Sequence, residues 1–343
     1  MTILVTGGCG FIGSNFIHEH FSSSNETIIN LDKLTYAGNL ENLKIFQASN
    51  NYHFYEGCIS DKELLLNIFR KFEPRFVINF AAETHVDRSI NSGEPFLQTN
   101  ILGTWQLLEA TLKIWKEQKS KFCKEFRFIH VSTDEVYGTL ELDEPAFTEK
   151  SQYKPNSPYS ASKAASDHLV RSFNKTYGLP TIITNCSNNY GPRQFPEKLI
   201  PLVIKKCIIS EEIPVYGDGR QIRDWIHVND HCKALIAILK NGQVGEVYNI
   251  GGDCEIENIS LVAMICEIMD DLRPLKNFKS YSDQIRFVTD RLGHDRRYAV
   301  NSAKIYNQTG WKTSTNLEHG LRETIKWYLN NLNWLNNIKS DAN

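Results

Sequence analysis

The stretch "TILVTGGCGFIGSNF", Thr2–Phe16, decides the fold. It opens on an apolar run, "TILVTG" (2–7), that reads as a strand buried on both faces. Gly7, Gly10 and Gly13 follow at G-x-x-G-x-x-G spacing, and Gly8, Gly10 and Gly13 also satisfy G-x-G-x-x-G. Residues 12–22 then read as a helix. Glycines at this spacing permit a tight strand–helix turn and let backbone N–H groups approach a pyrophosphate at the helix N-terminus. Alone the pattern is weak, because a glycine-rich turn needs no ligand. Its context is stronger: the next apolar run, "TIINLD" (27–32), ends in Asp32 about twenty residues on, as a dinucleotide fingerprint requires. Asp32 suits a ribose 2′-hydroxyl and repels a 2′-phosphate, which favours NAD over NADP. Lys33 beside it works against that preference.

Working outward, short apolar strands alternate with amphipathic stretches. Further strands are expected at "YHFYEG" (52–57), "FVINFAA" (76–82), "FRFIHVS" (126–132) and "TIITNCS" (181–187), and helices at 61–72, 97–118 and 160–177. The alternation implies an α/β fold, a Rossmann-type doubly wound parallel sheet covered on both faces. The second half is less regular, with turn-rich segments ("PVYGDGRQIRD", 214–224; "NIGGDCEIEN", 249–258) between helices at 229–240 and 259–270. It reads as a smaller C-terminal α/β domain that binds substrate. The expected division is 1–187 for the dinucleotide-binding domain and 188–330 for the substrate domain, with some chain crossing back to the first. Residues 331–343 read as a polar, frayed tail.

Bulk properties narrow the function. A net charge of −2 carries no basic footprint of a nucleic-acid binder. No apolar run approaches the ~20 residues of a membrane span, and the first residues lack the pattern of a secretory signal. A soluble cytoplasmic protein is expected. The eight cysteines form no CxxC pair, so reduced thiols are expected and no metal site. His227 and His231 have i, i+4 spacing without an evident third ligand.

"YSASK" sets Tyr159 and Lys163 four residues apart, on one face of a helix. A lysine cation near a tyrosine lowers the phenol's pKa and makes it a usable base. "VSTDEVYG" (131–138) leaves a strand with Asp134 and Glu135 adjacent and no basic residue in the octet. In an open α/β sheet, ligands sit beyond the carboxyl ends of strands, where these residues fall. A solvated turn with helix-cap roles is the bland alternative.

Together these motifs resemble the extended short-chain dehydrogenase/reductase superfamily, and within it the nucleotide-sugar 4,6-dehydratases, the branch acting on dTDP-glucose in particular. The resemblance spans nearly the whole chain: "TGGCGFIGSNF" (6–16), "AAETHVDRSI" (81–90), "VSTDEVYG", "YSASKAASDHLV" (159–170), "TNCSNNYGP" (184–192), "FPEKLIPL" (195–202), "VYGDGRQIRDWIHVNDH" (215–231) and "DRLGHDRRYAV" (290–300). Epimerases and decarboxylases of the group lack an acid–base pair after the Ser-Thr position, so Asp134 and Glu135 are the more specific signal.

The resemblance implies a mechanism. Tyr159 takes the sugar 4-OH proton while hydride leaves C4, Thr133 hydrogen-bonds that hydroxyl, and Lys163 holds the cofactor ribose. Glu135 is the implied base for C5–H and Asp134 the acid for the 6-OH. One carboxylate must be ionised and the other protonated, which requires their pKa values to be pushed apart. The product is a 4-keto-6-deoxy sugar, and NAD stays bound. The implied cofactor pocket adds Phe11, Ile12, Leu34, Thr35 and Gly38 to the glycines and Asp32. Cys58 and Ile59 would meet the adenine end. Phe80, Ala81, Ala82, Glu83 and Thr99 would line the middle, with Ser132 and Asn188 near the nicotinamide.

For the nucleotide sugar, the resemblance implies Thr84 and His85 beside the sugar, with Asn188 or Asn189, Lys198 and Leu199. Arg223 and Arg291 would meet the diphosphate. Pro214, Val215 and Tyr216 would flank the base, and Asn258 and His294 complete the set. A homodimer through 97–118 and 160–177 is also implied. The chain departs from the family pattern at Cys58, where an acidic residue normally meets the adenine amino group, at Arg193 and Gln194, expected near the sugar, and at Leu292. Other readings are a UDP-glucose 4,6-dehydratase, a nucleotide-sugar 4-epimerase and an NAD-binding regulatory protein without turnover.

Overall fold

The computed structural model describes residues 2–117, 125–275 and 280–337. The strands are β1 (Thr2–Thr6), β2 (Thr27–Asp32), β3 (Tyr52–Glu56), β4 (Phe76–Asn79), β5 (Arg127–Thr133), β6 (Thr181–Cys186), β7 (Asn188–Tyr190), β8 (Ile213–Tyr216), β9 (Ile222–His227), β10 (Val247–Ile250), β11 (Glu255–Glu257) and β12 (Ile285–Val288). Seven of them form one sheet in the order β10-β6-β5-β4-β1-β2-β3. All its pairings are parallel. Such a sheet must be covered on both faces, and two apolar clusters do this. Phe16, Ile17, Leu235 and Ile238 pack on one face; Leu65, Leu107, Trp115 and Phe173 pack on the other.

The helices start and stop where local chemistry directs. Asp61 accepts a hydrogen bond from Leu64 N at 3.0 Å and caps Lys62–Phe72. Ser157 and Ser160 form a reciprocal capping box at the start of Pro158–Tyr177, and Gly178 ends that helix at φ 70°. This last helix carries Tyr159 and Lys163 along its buried side.

The less regular second half contains a third apolar cluster, with Tyr190, Ile204, Ile265 and Tyr328. A three-stranded sheet, β11-β9-β7, and a two-stranded sheet, β12-β8, frame it. The turn-rich segments of the sequence therefore hold short strands. From this half, β10 pairs with β6 as the edge of the main sheet, and Val228–Asn241 packs against Phe11–Ser23.

Two expectations change. The helix read over 97–118 begins as π-type turns, Leu97–Gly103, and is α-helical over Thr104–Glu117; residue 118 lies outside the described residues. The tail does not simply fray. Leu332–Asn337 is helical, Leu335 is buried, and Trp334 Nε1 donates to Asn42 Oδ1 at 2.8 Å. Trp334 also meets the Trp327 ring edge-on at 5.0 Å, so two apolar side chains anchor an otherwise polar segment. Residues 338–343, and Cys123, lie outside the described residues; the seven described cysteines carry no disulfide. No helix among the described residues is long and apolar enough to cross a membrane.

Candidate active site

A cleft of about 450 Å³ opens at the carboxyl ends of β1, β2, β4, β5 and β6. This is the crevice where the strand order reverses. Its size suits a small-molecule site. The opposite wall comes from the smaller half: Pro214, Val215 and Tyr216 of β8, Arg223 of β9, Asn258, and the loop carrying Arg291 and His294.

One end is built by the glycine turn. Gly7 has φ +69°, and a Cβ there would lie 2.7 Å from Ala81 N. A Cβ on Gly13 would lie 2.4 Å from Gly7 O. Only glycine lets turn, helix and the segment after β4 come this close. Gly10 caps Phe11–Ser23 without a side chain, which leaves the first-turn N–H groups of Phe11 and Ile12 available to an anion. Asp32 ends β2 buried. Its Oδ2 accepts from Cys9 N and its Oδ1 from Leu34 N, both at 2.8 Å. Burial pushes its pKa up, and the two N–H groups oppose that. Each oxygen keeps a lone pair for a hydroxyl. Unpaired amides at a helix start and a carboxylate at the end of β2 fit a dinucleotide.

Lys33, Thr35, Gly38, Cys58 and Ile59 line this end, and Phe80, Ala81, Ala82, Glu83 and Thr99 continue towards the centre. Asn100, which no motif marked, holds that stretch. It accepts from Glu83 N at 2.9 Å and donates to Glu83 O at 3.0 Å and Ser162 Oγ at 2.8 Å. Leu34 is the exception among the expected residues. Its φ is +53°, and it lines a neighbouring hollow shared with Trp327 and Trp334 rather than the cleft.

At the centre lie Ser132, Thr133, Asp134, Glu135, Tyr159 and Lys163. Thr133 ends β5, and Oγ1 accepts from Glu135 N at 3.3 Å, which caps the turn Asp134–Tyr137 and presents both carboxylates. Their surroundings differ. Asp134 is 1% exposed, and its Oδ2 has no hydrogen-bond partner. Burial, then Glu135 and Asp224, push its pKa well above the usual carboxylate range, with Arg223 opposing. Burial also raises Glu135, but Arg291, Lys198 and Arg223 all pull it down. Three cations favour the ionised form at Glu135, whereas only Arg223 does so at Asp134, so the surroundings favour a proton on Asp134 over one on Glu135.

The expected action of Lys163 on Tyr159 is not what dominates here. Burial, Glu135 and Cys186 push the phenol well above its ordinary value, and Thr133 opposes them. The Lys163 ammonium instead donates to Val131 O at 2.8 Å, and burial lowers its pKa.

The substrate end gathers the other expected residues. Thr84, His85, Asn188, Asn189, Lys198 and Leu199 line it. Lys198 Nζ donates to Thr84 O at 2.7 Å. The Asn189 amide is committed to the fold: Oδ1 lies 2.9 Å from His231 Nδ1, and Nδ2 donates to Ser187 O at 2.9 Å. His231 is thereby a buried structural partner, and His227 caps Val228–Asn241. Arg223 is 4% exposed and donates to Ile222 O and Asp295 O, each at 2.8 Å. Arg291 Nη1 stands 3.7 Å from Asp87 Oδ1. His294 Nδ1 lies 2.6 Å from Asp290 Oδ1; burial pushes its pKa down to about 4. Asn258 Oδ1 is buried with no partner.

Sequence reasoning missed several lining residues. Glu197 accepts from Tyr36 OH at 3.1 Å and sits 3.6 Å from His85 Nε2. Asp87 accepts from Tyr216 OH at 3.3 Å. Tyr298 lies under Arg223, its ring centroid 4.2 Å from the guanidinium carbon. Glu197 and Tyr298 fall inside segments already recognised, "FPEKLIPL" and "DRLGHDRRYAV", which was the available signal. Arg193 was expected near the sugar but turns away. At φ +70° it donates to Asn15 Oδ1 at 3.2 Å and faces Trp327, while Gln194 does line the cleft.

Known proteins are similar to this chain over nearly its whole length. A family model described as GDP-mannose 4,6 dehydratase matches residues 4–324. A dTDP-glucose 4,6-dehydratase of Salmonella typhimurium is 50% identical, with 100% of this chain and 96% of that protein covered. The crystal structure of dTDP-glucose 4,6-dehydratase from Bacillus anthracis in complex with NAD matches with a TM-score of 0.87 at 45% identity, over 99% of this chain and 100% of that one. A dTDP-glucose 4,6-dehydratase structure from Streptomyces venezuelae, with NAD bound, matches at a TM-score of 0.89 and 40% identity, over 99% and 100%. With a glycine turn, a Tyr-Lys pair and two carboxylates gathered in one cleft, the chain belongs to the GDP-mannose 4,6 dehydratase family, on the side of the dTDP-glucose 4,6-dehydratases.

Proposed function

We propose that this protein is an NAD-dependent hydro-lyase that converts dTDP-glucose to dTDP-4-keto-6-deoxyglucose and water. The observation that carries the reading is the pair Asp134 and Glu135, set beside Tyr159, with three cations near Glu135 and only Arg223 near Asp134. Bound NAD supplies the hydride acceptor at sugar C4 and the hydride donor at C6, so each turnover is redox-neutral.

The chain's own residues handle protons and position. Gly7, Gly10 and Gly13 cradle the pyrophosphate, and Asp32 takes the ribose hydroxyls. Thr133 and Tyr159 hold the sugar 4-OH, and Tyr159, in the ionised form of its phenol, accepts the hydroxyl proton. The new 4-keto group acidifies C5–H; Glu135 removes this proton as an ionised carboxylate and returns it to C5 when C6 is reduced. Asp134, protonated at rest, donates to the 6-OH, so the C6–O bond breaks with water as leaving group. Arg223 and Arg291 meet the diphosphate, and Tyr216 offers a ring to the base.

We also propose a homodimer. Leu97, Leu102 and Trp105 are 52%, 44% and 42% exposed, and Tyr177 is exposed on the neighbouring helix. These side chains support a partner surface on that face.

The test is incubation with dTDP-glucose and, separately, UDP-glucose, without added NAD. A product lighter by one water, from the dTDP sugar preferentially, is expected. Inversion at C4 without mass loss overturns the reading in favour of an epimerase. Glu135→Gln should abolish elimination by a factor of about 10²–10⁴ while reduced nicotinamide accumulates. A variant unable to reduce bound NAD refutes the division of roles.

A further inference from the structure

Asp167 follows Lys163 as Lys163 follows Tyr159, four residues on, along the same buried side of the helix Pro158–Tyr177. It is 1% exposed. Its Oδ2 accepts from Ser132 Oγ at 2.9 Å and from Tyr153 OH at 3.1 Å. Its Oδ1 has no hydrogen-bond partner and lies 3.6 Å from His130 Nε2. A buried carboxylate with an unpartnered oxygen is costly and is retained where its charge serves a neighbour.

The charged and titratable neighbours are few. From the same helix there is Lys163, the cation opposing the burial of Asp167. From β5 there is His130, whose pKa burial and Lys163 push well below its ordinary value, so it is neutral. Nδ1 of His130 lies 3.1 Å from Asn79 Nδ2 and Nε2 lies 3.1 Å from Ser166 Oγ, which leaves the ring in a neutral polar chain. From the loop after β5 there is Tyr153, joined through Asn185 to Tyr137. Lys163 and Asp167 are not within ion-pair distance, but the charges that oppose the burial of Lys163 are those of Asp167 first and the Cys186 thiol second. Asp167 is therefore the carboxylate whose charge offsets the burial of Lys163.

The link is also mechanical. Lys163 donates to Val131 O, Asp167 holds the hydroxyl of the next residue, Ser132, and the residue after that is Thr133. Three consecutive β5 residues thus carry the Lys163 acceptor, the Asp167 contact and the hydroxyl beside Tyr159.

We propose that Asp167 is the counter-charge of Lys163 and a positioning residue for C4 oxidation: it keeps Lys163 an ammonium ion in a dry site and holds the β5 end on which that ammonium rests. This rests on the dehydratase reading above.

The test compares Asp167→Asn and Tyr153→Phe with the parent, each as holoenzyme in a Glu135→Gln background, so that C4 oxidation alone is read as reduced nicotinamide. Asparagine preserves the shape and can accept both hydrogen bonds at its oxygen. Burial pushes Asp167 up to about 7, so with aspartate present the rate should rise through that pH as the counter-charge forms. Asp167→Asn should lose the rise and run roughly tenfold or more slower at pH 8, the factor that one pKa unit represents. Tyr153→Phe removes a donor to the ionised form and should move the rise to higher pH without abolishing it.

Unfolding provides a readout independent of turnover. A carboxylate whose folded pKa is raised loses the folded state stability as pH climbs from the ordinary carboxylate range to about 7. Asp167→Asn should therefore keep or raise Tm above pH 7. A uniform loss of rate across pH with a lowered Tm makes Asp167 structural and overturns the proposal, as does an unchanged profile. Failure of the Glu135→Gln parent to form reduced nicotinamide indicts the dehydratase reading instead.

Discussion

The two ends of the cleft are built by different means. The centre of the cofactor end comes from a short run of chain: Gly7, Gly10 and Gly13 lie on one turn, and Asp32 closes the next strand, with Cys58, Ile59 and the segment after β4 added around them. The substrate end is assembled from β8, β9, the start of the helix Asn258–Leu272 and a loop around Arg291. At the first end, backbone conformation performs the recognition, so a change there disturbs the fold. At the second, long side chains reach in from separate elements, so a change there alters binding first.

The sharpest way to break this contrast is Gly7→Ala. The residue sits at φ +69° against the backbone of Ala81, with a Cβ distance of 2.7 Å. The left-handed backbone alone costs an L-residue about 1–2 kcal/mol, and the overlap adds to it. Tm and NAD retention should fall together. A variant with parental Tm that loses only NAD separates cofactor binding from the fold at this turn and defeats the contrast.

Arg291→Ala is the matching change at the other end. Its ion pair with Asp87, at 3.7 Å, is partly exposed, and such a pair contributes roughly 0–1 kcal/mol to stability. Tm should hold. Loss of a charge-assisted contact to a diphosphate, about 1.5–3 kcal/mol, should raise KM roughly 10–100-fold. The same guanidinium is the leading group that lowers Glu135. Without it, Glu135 ionises at higher pH, so the acid limb of kcat should move up. A raised KM with an unmoved limb separates Arg291 from the base.

The contrast also explains what was legible in the sequence. Strands and helices around the glycine turn follow local period and capping, and they appear almost where expected. The octet Val131–Gly138 is legible because a strand end delivers consecutive residues into one place. Leu34 and Arg193 were misplaced for one shared reason: each has positive φ, at 53° and 70°, which turns a side chain away from the direction its neighbours suggest. The π-type turns over Leu97–Gly103 imitate a helical pattern. Glu197, Asp87 and Tyr298 reach the cleft only through tertiary packing, and no spacing rule marks them. Asp167 was legible in principle, since Tyr159, Lys163 and Asp167 repeat at four-residue steps.

The smallest expected effect lies at Cys58, at the cofactor end. Cys58 lines the cleft, and its Sγ accepts from Ser60 Oγ at 3.0 Å. A thiol is a weak acceptor, whereas a carboxylate there can accept from an adenine amino group. The neighbouring backbone is already fixed, because Asp61 N donates to Cys58 O at 3.0 Å and Asp61 caps the following helix. Cys58→Asp therefore adds an acceptor without rebuilding the turn. One hydrogen bond to a charged group, about 1.5–3 kcal/mol before desolvation of the carboxylate is subtracted, should slow NAD release several-fold, measured by loss of bound cofactor on dilution. Equal or faster release would show that side chains at this end add nothing to what the backbone turn and Asp32 already hold, and the division between the two ends would then be sharper than drawn.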